Sequence, residues 1–544
     1  MKKLAKIHLF VAAFVAVITI SACTKLKNTP YTAIISTEFN PGKSDLVALV
    51  GAGYSQWRFI LLDWNGLWRA QEVTGDQLVI PKRPWGWFDD GVYQRLHKHT
   101  WTTDDDVVNQ TWSRTYAGIT NCNRIIYQIE SGLIPITEGK EATLAELKVL
   151  RASYYAILCD FYGNVPIVTQ FDLPSGFLPK QNTRVEVYDF IVKELTDNIP
   201  LLSAENNTET YGKFNKWAAF TLLAKMYLNA GVYTGTTRWT ECIAACDSVE
   251  KSGAFILEPV QKNVFVTENQ GSKEIIFAIP MDEDYTNNWN AFDLHMQTLQ
   301  QENQATYNLK NTPWGGICGI PQFISTFDVS DIRYQNNWIK GQQYTSSGQM
   351  LYVAQGDFTG KPLAFVNELP GLEKGESVHG FRLGKFEIKK GATNRLSNDY
   401  PIFRYAEVRM MKAECLLRTG QADAAALIVT EVRQRDFISD PSKAVVTGAQ
   451  LQMGSSYAYG LKDAVNNQFT TEGGADIQYG RFLDELGWEF EQEGHRRTDM
   501  IRFGAFSTKS WLSHAATNNI NRTLFPIPRT EIQKNGNLIQ NLGY

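Results

Sequence analysis

Three groups of residues in this 544-residue chain have the types and spacing to do chemistry. The first is His97-Lys98-His99, two imidazoles at alternate positions. On a strand, alternate side chains share a face, so the pair could approach a metal. No third ligand is identifiable, and the expectation is a structural or hydrogen-bonding role. The second is Glu493, His495, Arg496, Asp499 and Arg502. These could form a site, but Arg and carboxylate groups also satisfy one another between packed helices, and that is the expectation. The third is the thiols Cys122, Cys159, Cys242, Cys246, Cys318 and Cys415. None forms a C-x-x-C pair, so buried thiols are expected rather than zinc or redox chemistry. H-E-x-x-H, P-loop, G-x-S-x-G and dinucleotide fingerprints are all missing from the sequence. With 57 acidic residues, two carboxylates at glycosidase separation must occur somewhere, so their number decides nothing. No catalytic residue, metal or cofactor is assigned.

Charge and composition narrow the class. The formal net charge is -4 and the pI about 6.1, which gives no basic field to hold nucleic acid. Hydrophobic residues at 43% and charged residues at 20% describe a globular chain and exclude disorder. The 14 Trp are enough to fill a large core and leave indoles for the surface.

The N-terminus reads as an address. Lys2, Lys3 and Lys6 precede an apolar run from His8 to Ile20, then Ser21-Ala22-Cys23. A basic start, a short apolar stretch and small residues mark a secretory signal. The Cys after Ser-Ala resembles a bacterial lipobox, in which Cys23 is lipidated and becomes the mature N-terminus. Loss of residues 1–22 removes three Lys and no acid, leaving 50 basic against 57 acidic side chains, or -7. Several acyl chains on one residue would anchor such a protein stably, where a single chain is marginal.

The elements that must position a site are mainly helical. Asp104–Ser131 carries Val108, Trp112, Tyr116, Ile119, Asn123 and Ile126 at helical spacing, with Gly132 as a stop. Leu144, Leu147, Leu150, Tyr154, Leu158 and Phe161 form a second stripe. Thr183 and Glu186 form a capping box for a third. Trp217 to Gly231 and Trp239 to Gly253 make a tetratricopeptide-like pair, and Phe403–Leu417 with Ala422–Val432 repeats the pattern. Between them, 263–398 is rich in Gly, Asn, Gln, Trp and Tyr, with strand-like runs at Glu274–Ile279 and Met350–Val353. Loops of this length in a compact protein are usually functional. The fold expected is mainly α, with irregular helix pairs, long loop-rich insertions and a few short strands. Its parts are a signal at 1–22, a tether at 23–42, helices at 43–260, an insertion at 261–400 and C-terminal helices at 401–544.

Several segments resemble one family. Ala145–Tyr155 with Asp160-Phe-Tyr-Gly-Asn-Val-Pro-Ile167 is similar to the "LRA-x-YY … LYG-x-VP" segment of SusD/RagB proteins. Tyr405-Ala-Glu-Val-Arg-Met-Met-Lys-Ala-Glu-Cys-Leu resembles "YAE-x-LLM-x-AEAL". Phe482–Leu486, Glu493-Gly-His-Arg496 and Asp499-Met-Ile-Arg502 resemble "DER … EGHR … DLIR". Phe525-Pro-Ile-Pro528 and Asn537-Leu-Ile-Gln-Asn541 resemble the family's tail. Two departures stand out. The tail reads Asn541-Leu542-Gly543-Tyr544 without the usual Pro, and Thr24-Lys25-Leu26-Lys27 lacks the acidic run often seen in surface-exported lipoproteins.

The resemblance implies a SusD-like fold and a non-enzymatic, outer-membrane lipoprotein anchored through Cys23 and facing outward. It implies a partner, a SusC-like TonB-dependent transporter, and a polysaccharide or oligosaccharide ligand. Sugar rings have C–H faces that indoles cover and hydroxyls that amides, carboxylates and Arg meet. Five Trp lie in polar loops: Trp85, Trp87, Trp289, Trp314 and Trp338. Family members carry sugar-stacking aromatics in the regions of Trp85, Trp289 and Trp314, which makes these the leading trio, with Trp87 beside them. Arg69, Asp76, Asp89, Asn288 and Asn290 are candidate hydrogen-bond partners. Trp57, Trp64, Trp68, Trp488 and Trp511 have core-like neighbours. A broad Trp platform suits a flat β-linked chain, so a β-glucan such as xyloglucan or mixed-linkage glucan is the first expectation. Starch, levan and host glycans stay open, as do a peptide-capturing lid and a secreted glycoside hydrolase.

Overall fold

A computed structural model describes residues 43–287 and 290–544. The expected signal and tether, Cys23, Asn288 and Trp289 lie outside the described residues. The fold is mainly α, as expected, and its helices pack in a nearly continuous run. Lys43–Leu62 packs on Asp106–Glu130, which packs on Lys140–Phe161 and so on to Arg184–Asn198. Lys216–Leu228 packs on Trp239–Lys251, then Tyr405–Arg418, then Ala422–Gln434.

The local causes are those read from the sequence. Helix Asp106–Glu130 buries Val108, Trp112, Ile119, Cys122 and Ile126 along one stripe. Thr183 accepts from the Glu186 amide, and Glu186 closes the capping box, a cap worth about 1 kcal/mol. Gly118 lets two helices touch: a Cβ there would lie 2.6 Å from the Tyr154 ring. The Tyr154 hydroxyl then donates to Gly53 O at 2.7 Å, joining a third helix. All six described Cys are buried free thiols.

Two expectations are corrected here. His97-Lys98-His99 is not on a strand, because helix Val92–His97 ends there and His99 takes a positive φ of 53°. Both imidazoles are buried, with His97 Nε2 on Leu512 O and His99 Nε2 on Thr74 O. Burial holds His97 down at about 4 and His99 at about 3. The second correction concerns Phe403, which belongs to strand Tyr400–Arg404, so the helix begins only at Tyr405.

That strand organises the insertion. Ile275–Ile279 pairs antiparallel with Tyr400–Arg404, so the chain leaves and re-enters the core at one place. Further short antiparallel pairs shape the loops between: Leu78–Val79 with Cys318–Gly319, Trp338–Ile339 with Arg382–Leu383, and Gly341–Gln342 with Ala364–Phe365. Among the described residues no helix is long and apolar enough to cross a membrane.

Candidate functional site: a tryptophan cluster on two pinned loops

The pairing of Leu78–Val79 with Cys318–Gly319 sets the loop after Pro81 beside the loop before Ile317. Arg83 is buried and bolts them together. It donates to Gly316 O, to His379 O at 3.0 Å and to Glu376 O at 3.2 Å. The Trp87 amide donates to Trp314 O at 3.0 Å and Gly315 O at 2.6 Å, and Trp85 Nε1 donates to Pro313 O at 3.4 Å. Gly316 allows the approach, since a Cβ there would meet Trp87 O at 3.1 Å.

Three of the four loop indoles chosen from sequence are therefore brought together: Trp85, Trp87 and Trp314, all half-buried. Trp289, the fourth, lies outside the described residues. A further indole, Trp64, sits between them. Its ring lies 5.5 Å from Trp314 and 6.2 Å from Trp87, both edge-on. Trp87 also meets Tyr93 at 4.6 Å. Sequence reasoning set Trp64 in the core, yet it is half-buried. The signal for a loop was there in Asn65-Gly66, a turn dipeptide directly after it.

The polar partners divide. Asp89 is exposed, lifted with Asp90 on a turn of positive φ at 43° and 48°. Arg69 is fully buried, donating to Leu62 O at 2.9 Å and Asp63 O at 2.7 Å, with Asp293 3.8 Å away. It supports the cluster from beneath, its guanidinium 5.8 Å from the Trp87 ring. Asp76 is also fully buried, 2.6 Å from Arg496 and accepting from the Tyr459 hydroxyl at 2.6 Å. Asn290 is buried and accepts from the Asn287 amide at 2.8 Å. Arg69, Asp76 and Asn290 are thus corrected from ligand contacts to scaffold. All three are buried inside the fold, beneath the surface that the indoles present. Asn288 lies outside the described residues. Trp338 is corrected too: it is a core residue beside Phe323, because Gly319 and Ile324 close over it.

Asp293 is a residue the sequence did not single out. Its Oδ2 accepts from Trp64 Nε1 at 3.0 Å and fixes that ring. Burial raises its carboxyl to about 6, against the pull of Arg69. Tyr285, in the loop that precedes Asp293, is 83% exposed. Half-exposed indoles, an exposed carboxylate and a rigid backbone can cover C–H faces and bind hydroxyls.

The C-terminal cluster is structural. Arg502 is clamped by Glu414 at 2.7 Å and Asp499 at 2.7 Å, and Glu493 meets Lys385 and Arg404 at 2.5 and 2.7 Å. Among the described residues no group of three potential ligands is placed to hold a metal.

Fold and sequence together define the class. Residues 273–544 match the SusD family, and residues 75–228 match a family described as starch-binding and associating with the outer membrane. The chain belongs to the SusD family. It is 25% identical over 500 residues to the starch-binding protein SusD of Bacteroides thetaiotaomicron, covering 85% of this chain and 83% of that one. A SusD superfamily protein from Parabacteroides distasonis superposes with a TM-score of 0.70 at 17% identity, over 93% of this chain and 100% of the other. A laminarin-binding SusD-like protein does so at 0.69 and 19% identity, over 93% and 100%.

Proposed function

We propose that this protein is a lipid-anchored cell-surface glycan-binding protein without catalytic activity. It captures a polysaccharide or oligosaccharide and serves as lid to a SusC-like TonB-dependent transporter of the outer membrane. The observation that carries this reading is the half-exposed cluster of Trp85, Trp87 and Trp314, held on two loops that Arg83 bolts together, with Trp64 packed edge-on against Trp87 and Trp314. Indoles left half-open on a rigid scaffold suit a ring-faced ligand. The starch- and laminarin-binding names of its relatives support the same ligand class. A β-glucan such as xyloglucan or mixed-linkage glucan is the first candidate.

Affinity electrophoresis against plant, fungal and host polysaccharides tests the reading. The expected result is retardation by at least one neutral glycan, lost in Trp314→Ala, with no reducing sugar released over hours. No retardation by any polysaccharide would overturn it. Anchoring is tested separately: Cys23→Ala should free the folded protein from the membrane fraction when no transporter is present.

A further inference from the structure

We propose that the ligand surface continues beyond the indoles onto the hairpin segment 341–365, and that it takes a long, uncharged polysaccharide. This rests on the glycan reading above and adds a second subsite to it.

The segment is built as three short strands closed on one another. Gly341–Gln342 pairs with Ala364–Phe365, Tyr344 bridges Met350, and Tyr352 bridges Pro362. The Gln343 amide donates to Leu363 O at 2.8 Å, Leu363 to Leu351 O at 2.8 Å, and Leu351 to Gln343 O at 3.0 Å, closing a ring. Alternation then assigns the faces. Gln343, Val353, Leu363 and Phe365 point inward and are buried. Tyr344, Met350 and Tyr352 point outward together, 45%, 44% and 52% exposed. An outward strand face is normally polar, so two phenols and a thioether side by side are an unsatisfied apolar surface.

Two further facts choose the occupant. From Gly341 to Gly356 the chain carries no charged residue; Gln342, Gln349, Gln355, Thr345, Ser346 and Ser347 supply its polarity. Amides and hydroxyls beside aromatic faces match hydroxyl-bearing rings, and the two charges in the rest of the segment, Asp357 and Lys361, sum to zero. The hairpin is also fastened to both Trp loops. Ser346 N donates to Ala305 O at 2.9 Å, and the same short helix holds Gln304, which accepts from Thr312 of the Trp314 loop at 3.0 Å. At its other end Gly356 lies against Pro84, next to Trp85, so close that a Cβ would stand 2.6 Å from the proline ring. Hairpin and indoles therefore form one connected scaffold, and one long chain can meet both.

The test compares polymers with short fragments: laminarin, xyloglucan and soluble starch against laminaritetraose, cellotetraose and maltotetraose. The double variant Tyr344→Ala/Tyr352→Ala should bind the recognised polymer about tenfold more weakly, the loss expected for about 1.4 kcal/mol. Its affinity for the matching tetrasaccharide should be unchanged. Tyr344→Phe/Tyr352→Phe, which keeps the rings, should bind the polymer like wild type, and thermal melts should match throughout. Trp314→Ala should lose polymer and fragment alike. If Trp314→Ala abolishes binding while the double Ala variant holds the polymer normally, the hairpin subsite is refuted and the glycan reading stands. Loss of transporter association with normal polymer binding would equally refute it, by making the face a protein contact. If wild type binds neither these glycans nor any other polysaccharide of the plant, fungal and host panel, the underlying reading fails as well.

Discussion

Two regions of this molecule gather side chains that could do chemistry, and they treat them in opposite ways. In the interior, Glu489 lies between three guanidiniums, with Arg435 at 2.6 Å, Arg404 at 2.7 Å and Arg333 at 3.0 Å. Glu274, Glu493, Asp331 and Lys385 complete the network. Burial alone would raise the Glu489 carboxyl, but the three Arg hold it well below the usual carboxylate range. At the loops, the four indoles of the Trp cluster are half-open, Trp64 packs edge-on against Trp87 and Trp314, and Asp89 is exposed beside them. The contrast separates support from recognition. Groups whose partners lie inside the fold hold the insertion to the helices. Groups left partly unmatched are those available to a ligand.

Four experiments would break or sharpen that contrast. The largest effect belongs to the interior. Glu489→Ala leaves three buried guanidiniums short of charge and should lower unfolding free energy by about 3–5 kcal/mol, read from urea titration. A loss below about 1 kcal/mol would mean the network is not the brace described.

At the indoles the order reverses. Trp314→Ala should cost about 2–4 kcal/mol of glycan affinity by calorimetric titration, as aromatic anchors do, with little change in melting temperature. If it melts early and binds normally, the cluster is core rather than site.

The third concerns pH. Burial raises Glu72 and Glu491 to about 8 each. A carboxyl raised above its unfolded value favours the protonated fold, so its contribution is largest at low pH and declines as pH climbs to about 8. Melting temperature should therefore fall by about a few degrees between pH 6 and pH 9. Glu72→Gln should flatten that fall, because the amide oxygen can still accept from Gly494 N, now at 2.6 Å from Glu72. An unaltered slope in this variant would exclude Glu72 as a contributor.

The smallest effect is at the rim. Asp89→Ala removes one exposed carboxylate and should weaken binding by about 0.5–1.5 kcal/mol, with no change in stability. A loss as large as that of Trp314→Ala would make the carboxylate the anchor instead of the rings.

By itself the sequence determined the helices, because their signals are local. The stripe from Val108 to Ile126, the Thr183–Glu186 box and the late pair at Tyr405–Gln434 each lie within a few turns of chain. It also marked Trp85, Trp87 and Trp314 as loop indoles, since Pro and Gly punctuation surrounds them. Only the tertiary structure decided which polar residues stay available. Arg69 and Asp76 look like sugar ligands in one dimension, but both are buried, beside Asp293 and Arg496 from more than 200 and 400 residues away. Trp64 looked like core until two distant loops left it half-uncovered. Burial depends on what the rest of the chain brings near, and no pattern within a helical turn or a strand carries that information.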